Sequence, residues 1–287
     1  EARLFKPDIV IGRHLAGCFF TSLAGIKTFF EIHSPIEESG KLTKFLFEQM
    51  INFASFQKLV VITCALKKYY ELRYPELKNR VLVLPDAADS LDVENIQSAG
   101  IRLKNTLNVG YTGHLYKGKG MELLFGLIPI CPFAHFHIVG GRLCDINYWG
   151  EKMFLYPNVT FHGYRPHSEI PSFLNDFDIV LLPNQNEVHG NASRNIGGWT
   201  SPLKLFEYMA ARKAIIASDL PVLREVLENK KTALLCSPKN IDAWKKSLEL
   251  LRDNIIFRKQ LGSEANKVFL KKYTWISRAK KIFSSCN

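Results

Sequence analysis

Short apolar segments alternate with amphipathic segments along almost the whole chain, and this alternation restricts the fold more than any other feature. The clearest apolar segments have the length of strands and span residues 27–32, 58–63, 80–84, 133–139, 178–183 and 214–217. Between them, segments such as 41–56, 65–74 and 121–127 carry apolar residues at helical spacing. Strands that alternate with helices form parallel sheets covered by helices. The sequence therefore predicts an α/β protein.

The alternation is interrupted once, which predicts two domains. Residues 90–104 are polar and contain no strong strand, and a new strand–helix series begins at Leu107. We place the first domain at 1–99 and the second at 100–272, and we expect segment 273–287 to pack back on the first domain. Each domain is expected to be a doubly wound, Rossmann-like sheet. The cleft that two such domains face is the default ligand site.

The composition favours an anionic partner without naming it. A formal net charge of +11 suits nucleotides, phosphorylated lipids, a membrane surface or nucleic acid. The six cysteines are scattered without metal-ligand spacing, so we expect them to be reduced and mainly structural. No apolar run approaches the ~18–20 residues of a membrane span, and no signal-peptide pattern is visible. We therefore expect a cytoplasmic protein.

Residues 200–218 combine a helix start with a lysine and a glutamate. Ser201 suits the N-cap and Pro202 the first helical position. Lys204 and Glu207 are three residues apart, so they share one face of the predicted helix. The N-terminus of a helix presents free N–H groups and is a ready anion site. The stretch is typical of a site for a phosphorylated, hydroxyl-bearing ligand, while an ordinary surface helix with an ion pair is the alternative.

A second turn carries cations as well. Residues 114–120 follow the predicted strand at Leu107 and include His114 and Lys119. Both turns follow strands, at the edge of an α/β sheet where phosphates bind. A diphosphate has two negative centres, so two converging cationic turns suit it. His33 ends the strand at 27–32, at the same kind of edge, and a structural histidine is the alternative there.

Five motifs occur in a fixed order along the chain. They are Gly113-His-Leu-x-x-x-Lys119-Gly120, Asn158-Val-Thr-Phe-His-Gly163-Tyr, Asp178-Ile-Val-Leu-Leu-Pro183, Ser201-Pro-Leu-Lys-Leu-Phe-Glu207-Tyr-Met-Ala and Ala217-Ser-Asp-Leu-Pro-Val-Leu-Arg-Glu225. In this order they resemble the motifs of the retaining glycosyltransferases of family four, which have the GT-B fold. The resemblance covers essentially the whole chain and is strongest over residues 107–236. It implies a GT-B-like protein whose N-terminal domain is incomplete.

The resemblance implies a binding site for a nucleotide-diphosphate sugar. The residues that it implies for donor binding are Gly113, His114, Tyr164, Arg165, Ser201, Leu203 and Glu207. In the family, an Arg–Lys phosphate pair falls on His114 and Lys119, and a ribose-binding Glu falls on Glu207. The helix start at Ser201 would face the diphosphate, and the loop after Gly163 would lie along the nucleobase.

The resemblance also implies the reaction. A hexosyl group would pass from a UDP or GDP sugar to the hydroxyl of a glycan or lipid-linked acceptor, with the anomeric configuration retained and without a metal or other cofactor. The residues implied for catalysis are His33, Lys119 and Lys204. His33 matches a histidine that faces the donor sugar, and the two lysines would stabilise the departing diphosphate. The family context suggests synthesis of cell-surface polysaccharide or glycolipid.

Three positions and the extent of the first domain depart from the family pattern. Trp199 stands where many members have a second Glu, eight positions before Glu207, and His114 replaces the usual Arg. The first domain supplies only the later part of an acceptor domain, so we expect an exposed sheet edge. Arg212 stands where Gly is common, at an expected cost of roughly 1 kcal/mol if its φ is positive.

Other functions are weighed against this reading. A catalytically impaired nucleotide-sugar-binding relative or a nucleotide-sugar epimerase would share the fold. A nucleoside-triphosphate hydrolase is another alternative, because Gly113 to Lys119 has the spacing of a P-loop. The motif differs at its last residue, where Gly120 replaces the Ser or Thr that would hold Mg²⁺. A basic nucleic-acid-binding module lacks a recognisable RNA- or DNA-binding motif, so we expect no nucleic-acid partner. The amphipathic segment 41–56 and the basic C-terminal segment would suit peripheral binding to an anionic membrane.

Overall fold

The computed structural model of the protein describes residues 5–188, 195 and 197–285, which form two compact units. Unit 1 contains residues 5–86, 199–201 and 280–285. Unit 2 contains residues 87–188, 195, 197–198 and 202–279. Part of the polar loop between 184 and 199 lies outside the described residues.

Unit 1 is built on a four-stranded parallel sheet. Its strands are β1 (Ile9–Gly12), β2 (Lys27–Ile32), β3 (Phe56–Val61) and β4 (Val81–Val83), in the order β1-β2-β3-β4. Its helices are α1 (Leu15–Leu23), α2 (Lys41–Met50) and α3 (Cys64–Arg73). Each helix connects two neighbouring strands, as parallel pairing requires. The sequence at Thr63 illustrates the local cause, because the Thr63 hydroxyl caps α3 by accepting a hydrogen bond from Leu66 N at 3.2 Å.

The predicted helix at 41–56 is too long, and the structure shows why. α2 ends at Met50, and a turn closes with a hydrogen bond from Phe53 N to Met50 O. Phe56, which fits the helical apolar pattern, instead starts β3 and pairs with Thr28. Apolar side chains at the end of an amphipathic pattern thus belong to the sheet core. That core holds Phe47, Phe56 and Leu59 on one face of the sheet.

The opposite face of this sheet is covered by the end of the chain. Helix α11 (Trp275–Ser284) begins in unit 2, and its residues from Lys280 onward belong to unit 1. Ile282 packs there with Phe29 and Val60. Burial of these apolar side chains is what holds the end of α11 against the sheet.

Unit 2 is built on a six-stranded parallel sheet. Its strands are β5 (Leu107–Thr112), β6 (Ala134–Val139), β7 (Val159–Gly163), β8 (Ile179–Leu182), β9 (Ala214–Ser218) and β10 (Leu234–Cys236). Its helices are α4 (Met121–Leu127), α5 (Leu143–Met153), α6 (Ile170–Asp176), α7 (Leu203–Ala210), α8 (Pro221–Arg224), α9 (Ile241–Asp253) and α10 (Ile255–Lys272).

The strand order of unit 2 marks where a ligand binds. The order is β10-β9-β8-β5-β6-β7, so the chain first builds outward from β5 to β7 and then returns to β8 on the other side of β5. This is the doubly wound order of Rossmann folds, and its switch point lies between β5 and β8. Ligands of such sheets bind outside the carboxyl ends of the strands at the switch point. For unit 2 that place is the segment after Thr112 and the segment after Leu182.

The segment before β5 lies on unit 2, although we placed residues up to 99 in the first domain. Ile101 N donates to Asp176 Oδ2 at 3.1 Å, and Asn175 Nδ2 donates to Ile96 O at 3.0 Å. Ala88 also forms an isolated bridge with Thr274. The first two of these hydrogen bonds join backbone groups of the polar segment to side chains of unit 2. They hold the segment there without a strand, so the sequence pattern did not reveal its place.

The core of unit 2 requires one glycine in particular. Gly110 lies in β5, and a Cβ at this position would sit 1.9 Å from the ring of Phe177. Phe177 therefore reaches the backbone of the sheet. Within the described residues, no helix is both long and apolar enough to cross a membrane.

Candidate functional site

The carboxyl end of β5 receives the side chain of Lys204. Gly113 follows Thr112 with φ at +123°, and a Cβ at Gly113 would lie 2.9 Å from Lys204 Nζ. The positive φ favours glycine at this position. The first motif of the sequence thus begins with a glycine whose backbone is approached by a lysine of the fourth motif.

The position of Lys204 is fixed through a neighbour on α7. Tyr208 is one turn further along the helix, and its hydroxyl accepts a hydrogen bond from Thr112 N at 2.9 Å. The Thr112 hydroxyl lies 3.2 Å from the same oxygen. Tyr208 therefore sets the register between the start of α7 and the end of β5. Side chains one turn apart on a helix share a face, so the same contact aims Lys204 at Gly113.

The amine of Lys204 lies in an unusual environment. Its Nζ is buried and, within the described part of the chain, has no hydrogen-bond partner, although the residue as a whole is only half-buried. It lies 3.9 Å from the centroid of the Tyr111 ring. Burial, and next the nearby charge of Lys119, hold the pKa of Lys204 well below its usual value, while Glu207 acts weakly in the opposite direction.

The surroundings of the Lys204 amine offset little of the cost of burying a positive charge. A cation–π contact is worth up to about 2 kcal/mol. Removing an unpaired ammonium from water costs several kcal/mol even after relaxation. The Tyr111 ring therefore cannot offset the burial of a charged Lys204, and an incoming anion would.

The turn after Gly113 brings His114 and Lys119 to the same edge. The His114 ring stacks on Tyr116 at 5.4 Å, and Lys119 Nζ lies 5.2 Å from the Tyr116 ring. Burial, followed by the charges of Lys119 and Lys204, lowers the pKa of His114. Burial also lowers the pKa of Lys119. The turn thus presents two basic groups whose pKa values are both lowered by burial.

Two glycines hold this turn against the segment that follows β8. A Cβ at Gly118 would sit 2.2 Å from Glu187 O, and one at Gly120 would sit 2.2 Å from Pro183 O. Gln185 N donates to Gly118 O at 2.9 Å. The two segments that flank the switch point are therefore in direct backbone contact, and Lys119 lies on one of them.

Glu207 lies at the mouth of an apolar pocket, paired with a residue that the sequence analysis missed. Glu207 Oε1 lies 2.8 Å from His167 Nε2, and the His167 side chain is 81 % exposed. The pocket has a volume of about 260 Å³. It is lined by Ala87, Ala88, Asp89, Leu91, His167, Ile170, Pro171, Leu174, Leu203, Glu207, Ala210 and Trp275. An exposed histidine in a polar turn carries no pattern that would single it out.

Leu203 and Glu207 contribute to this pocket from one face of α7. Lys204 reaches toward Gly113 and does not line this pocket, although we expected it to share one face of the helix with Glu207. The sequence analysis placed Tyr164 and Arg165 along a nucleobase, but neither is among the described residues that line the pocket. Tyr164 is 76 % exposed, and Arg165 Nε donates to His162 O at 3.2 Å.

Ser201 does not cap α7. The helix begins at Leu203 with Pro202 at the N-cap, and no described side chain supplies a capping hydrogen bond. Ser201 belongs to unit 1, where its hydroxyl accepts a hydrogen bond from Asp86 N at 3.1 Å. The expected cap is therefore wrong, because the Ser201 oxygen serves another segment.

His33 and Trp199 are also in unit 1. Arg13 lies 2.9 Å from His33 Nδ1, and Glu31 Oε1 lies 2.8 Å from His33 Nε2. Because arginine can only donate, Nδ1 accepts and Nε2 carries the proton. The Trp199 ring packs edge-on against Tyr69 at 5.5 Å. The structure thus brings together Gly113, His114, Lys119, Lys204 and Glu207 in unit 2 and describes His33 and Ser201 in unit 1.

Solved structures show the same fold. HepE from Anabaena in complex with UDP superposes with a TM-score of 0.75, at 14% identity over 99% of this chain and 79% of that chain. A glycosyltransferase from Rickettsia africae gives a TM-score of 0.74, at 14% identity over 99% and 77% of the two chains. The fold is therefore α/β of the GT-B type, with two Rossmann-like domains, as the sequence predicted.

Curated sequence relatives match part of this chain and are longer than it. An uncharacterised 41.2 kDa protein in the cps region of Klebsiella pneumoniae is 25% identical over 62% of this chain and 47% of its own. An uncharacterised glycosyltransferase of Methanocaldococcus jannaschii is 26% identical over 72% of this chain and 54% of its own. The chain thus spans about half the length of these relatives. Residues 93–268 match the family described as glycosyl transferases group 1, which covers most of the chain. The chain belongs to the glycosyl transferases group 1 family.

Proposed function

We propose that the protein transfers a hexosyl group from a UDP or GDP sugar to an acceptor hydroxyl, with retention of the anomeric configuration. One observation carries the proposal. The buried amine of Lys204 lies beside Gly113 at the switch point of unit 2, and Glu207 follows on the same helix. A buried amine at a phosphate-binding edge indicates an anionic ligand, and a nearby carboxylate suits the hydroxyls of a ribose.

Lys204, Lys119 and the N-terminus of α7 would bind the diphosphate. The first N–H groups of a helix have no partner within it and carry partial positive charge. Together with two ammonium groups they would stabilise the charge that develops on the departing diphosphate. His114, neutral by the direction of its pKa, would donate a single hydrogen bond where many relatives have an arginine. We propose that no metal is needed, because these groups supply the charge.

Glu207 and the apolar pocket beside it would bind the nucleoside. The carboxylate would accept hydrogen bonds from ribose hydroxyls in place of His167. Leu203 and Ile170 offer apolar surface to a planar base. Tyr164 and Arg165 would then close over the exposed side of the base. HepE in complex with UDP and with UDP-glucose supports this nucleotide class.

His33 would contact the donor sugar through a ring held by Glu31 and Arg13. Trp199 stands where the family pattern has a second Glu, and its indole packs on Tyr69. An impaired relative that binds the nucleotide sugar without transferring the sugar is therefore the second candidate.

The acceptor is proposed to be a cell-surface glycan or its lipid-linked precursor. Supporting relatives include the protein in the Klebsiella cps region and a putative teichuronic acid biosynthesis glycosyltransferase of Bacillus subtilis, which is 30% identical over 25% of this chain. We also propose peripheral binding to an anionic membrane through α2, where Leu42 and Phe45 are exposed.

A ligand screen tests the donor site. We expect UDP, GDP or one of their sugars to raise the thermal unfolding temperature, because a ligand at 100 times its Kd adds about 2.7 kcal/mol of stability. Lys204→Met and Glu207→Ala should each weaken binding about 10- to 100-fold, since each removes a hydrogen bond to a charged group.

Lys213→Met is the matched control for Lys204. Lys213 is a second lysine with a lowered pKa, about 8 through burial, but its Nζ donates to Asn175 O at 2.8 Å. This variant should be less stable than the wild type, and nucleotides should still raise its thermal unfolding temperature. The proposal fails if no nucleotide shifts the wild type, or if Lys204→Met responds as the wild type does. Transfer to acceptor, measured by release of the nucleoside diphosphate, separates an active enzyme from an impaired relative.

A further inference from the structure

Lys204 reverses the usual arrangement of a lysine side chain. Lysines normally bury their methylene stem and leave the ammonium in water. Here the residue is partly exposed, yet its Nζ is buried beside Gly113 and the Tyr111 ring. Water therefore reaches part of the side chain and is kept from the amine. The amine is therefore shielded from bulk solvent and has no described protein oxygen as a hydrogen-bond partner.

Of the described charged and titratable groups around this amine, Glu207 alone favours a positive charge, and its contribution is smaller than those of burial and Lys119. On the β5–α4 turn, Lys119 is a second amine whose charge opposes a charge on Lys204, and His114 is a weak base whose pKa Lys204 lowers in turn. On the sheet and on α7, the phenols Tyr111 and Tyr208 remain neutral because burial raises the pKa of each. Glu207 is the anion on α7 that attracts the amine, and its carboxylate is paired with His167.

We propose that Lys204 is an uncharged amine in the nucleotide-free protein and that binding of a nucleoside diphosphate adds one proton to it. The inference rests on the proposed donor site. Its step is an acid–base equilibrium, in which the amine lone pair takes a proton from solvent and the resulting ammonium pairs with a phosphate oxygen. Deeply buried lysines without a partner exist as neutral amines, and a nearby anion restores the charge.

Lys204 would stay protonated for as long as the nucleotide is bound. When the sugar leaves, the remaining nucleoside diphosphate carries more negative charge, so Lys204 stays protonated until the product departs. Release of the product then returns the proton to solvent. Because the bound state holds more protons than the free state, affinity must fall as the pH rises, by up to tenfold per pH unit where Lys204 is neutral before binding and charged after it.

Isothermal titration calorimetry tests this directly. UDP and GDP are titrated into the protein at pH 8, where their phosphates are already fully ionised because the second phosphate pKa is about 6. The titrations are repeated in buffers that differ in ionisation enthalpy. We expect the observed heat to depend on the buffer with a slope that corresponds to uptake of up to one proton per nucleotide. An observed heat that does not depend on the buffer would overturn the inference.

Two variants connect the uptake to Lys204. Lys204→Met should weaken binding and abolish the buffer dependence of the remaining heat. Lys213→Met, which changes a buried lysine whose amine already has a partner, should retain the uptake. Uptake that persists in Lys204→Met would assign the proton to another group and contradict the inference.

A measurement without ligand makes the test independent of nucleotide affinity. Lysine labelled with ¹³C at Cε reports the charge of its amine by NMR, and the resonance absent from Lys204→Met identifies Lys204. We expect this resonance to titrate well below the other lysines in the free protein and to move to the charged position with UDP or GDP. A charged Lys204 at pH 8 in the free protein would refute the inference while leaving nucleotide binding intact. If neither UDP nor GDP binds, the proposed function itself is refuted.

Discussion

At the scale of single residues, burial lowers the pKa of several basic side chains. Lys204 and Lys119 lie where a ligand is proposed to bind, whereas His137 lies inside the sheet of unit 2. His137 Nδ1 lies 3.1 Å from His162 Nε2, and its Nε2 lies 3.1 Å from Asn108 Oδ1. Burial, and then the neighbouring His135 and His162, lower the pKa of His137 to about 4. A group of this kind affects stability rather than catalysis.

The His137 cluster predicts a loss of stability in mild acid. The unfolded chain binds a proton at His137 near pH 6.5, and the folded protein binds it only near pH 4. Stability should therefore fall as the pH drops from about 6.5 to 4, by an amount on the order of 2 kcal/mol for this residue. Replacing His137 with Gln removes the titration and retains an amide that can donate to Asn108.

Urea unfolding at pH 7.5 and at pH 5 measures this effect. His137→Gln should be less stable than the wild type at pH 7.5. Its free energy of unfolding should fall less than that of the wild type between pH 7.5 and pH 5. His167→Gln is the control, because that side chain is exposed and should change neither quantity much. An equal pH response of the wild type and His137→Gln would show that the buried cluster does not set the acid sensitivity.

At the scale of elements, the contact between two loops should control nucleotide binding. Gly118 has φ at +89°, and a methyl group there would meet the backbone of Glu187 and Val188. Gly118→Ala should displace the turn that carries Lys119 and weaken UDP or GDP binding by about tenfold or more, since charge-assisted contacts depend on alignment.

Gly100→Ala is the control that distinguishes displacement of the turn at Gly118 from the effect of backbone strain alone. Gly100 also has a positive φ, +75°, but within the described structure nothing lies within 4 Å of a Cβ added there. Both variants should lose on the order of 1 kcal/mol of stability through strain, and only Gly118→Ala should lose affinity in calorimetry. Equal affinities of the two variants would mean that the loop contact is not needed for binding.

The sequence predicted elements better than it predicted their ends and their tertiary partners. The parallel sheets followed from strand–helix alternation, because that pattern is local. The end of α2 did not, since Phe56 satisfies a helical pattern and a strand equally well. Ser201 had the chemistry of a cap, and its hydrogen bond to Asp86 depends on a contact between residues far apart in sequence. His167 could not be predicted for the same reason.

The site shows the same division. Gly113 and Lys204 were predicted from motifs and are in direct contact in the structure. Arg212 was expected to be strained if left-handed, and its φ is +53°. The burial of the Lys204 amine was not foreseeable, because it depends on how Tyr208 sets α7 against β5. Residue types could be read from the sequence, whereas the direction of each pKa shift depends on the packing.

At the scale of the whole molecule, charge and one exposed helix point to the same partner. The chain carries a net charge of +11. On α2, Leu42 and Phe45 are 71 % and 54 % exposed and lie three residues apart, with Lys41 and Lys44 beside them. Apolar side chains flanked by lysines are typical of helices that bind the surface of anionic membranes. A lipid-linked acceptor would be found at such a surface.

Liposome sedimentation tests this partner. Binding should increase with the fraction of anionic lipid, because each lysine near such a surface contributes about 1 kcal/mol. Each apolar side chain contributes about 1.5–3 kcal/mol when buried in the interface. The double variant Leu42→Ser/Phe45→Ser should therefore weaken binding at least about tenfold and leave UDP or GDP binding in unit 2 unchanged.

Ile255→Ser/Ile256→Ser is the control variant. It removes two comparably exposed side chains, at the start of α10, and should bind liposomes as the wild type does. If binding ignores the anionic lipid fraction, or if both double variants behave alike, α2 is not the membrane contact.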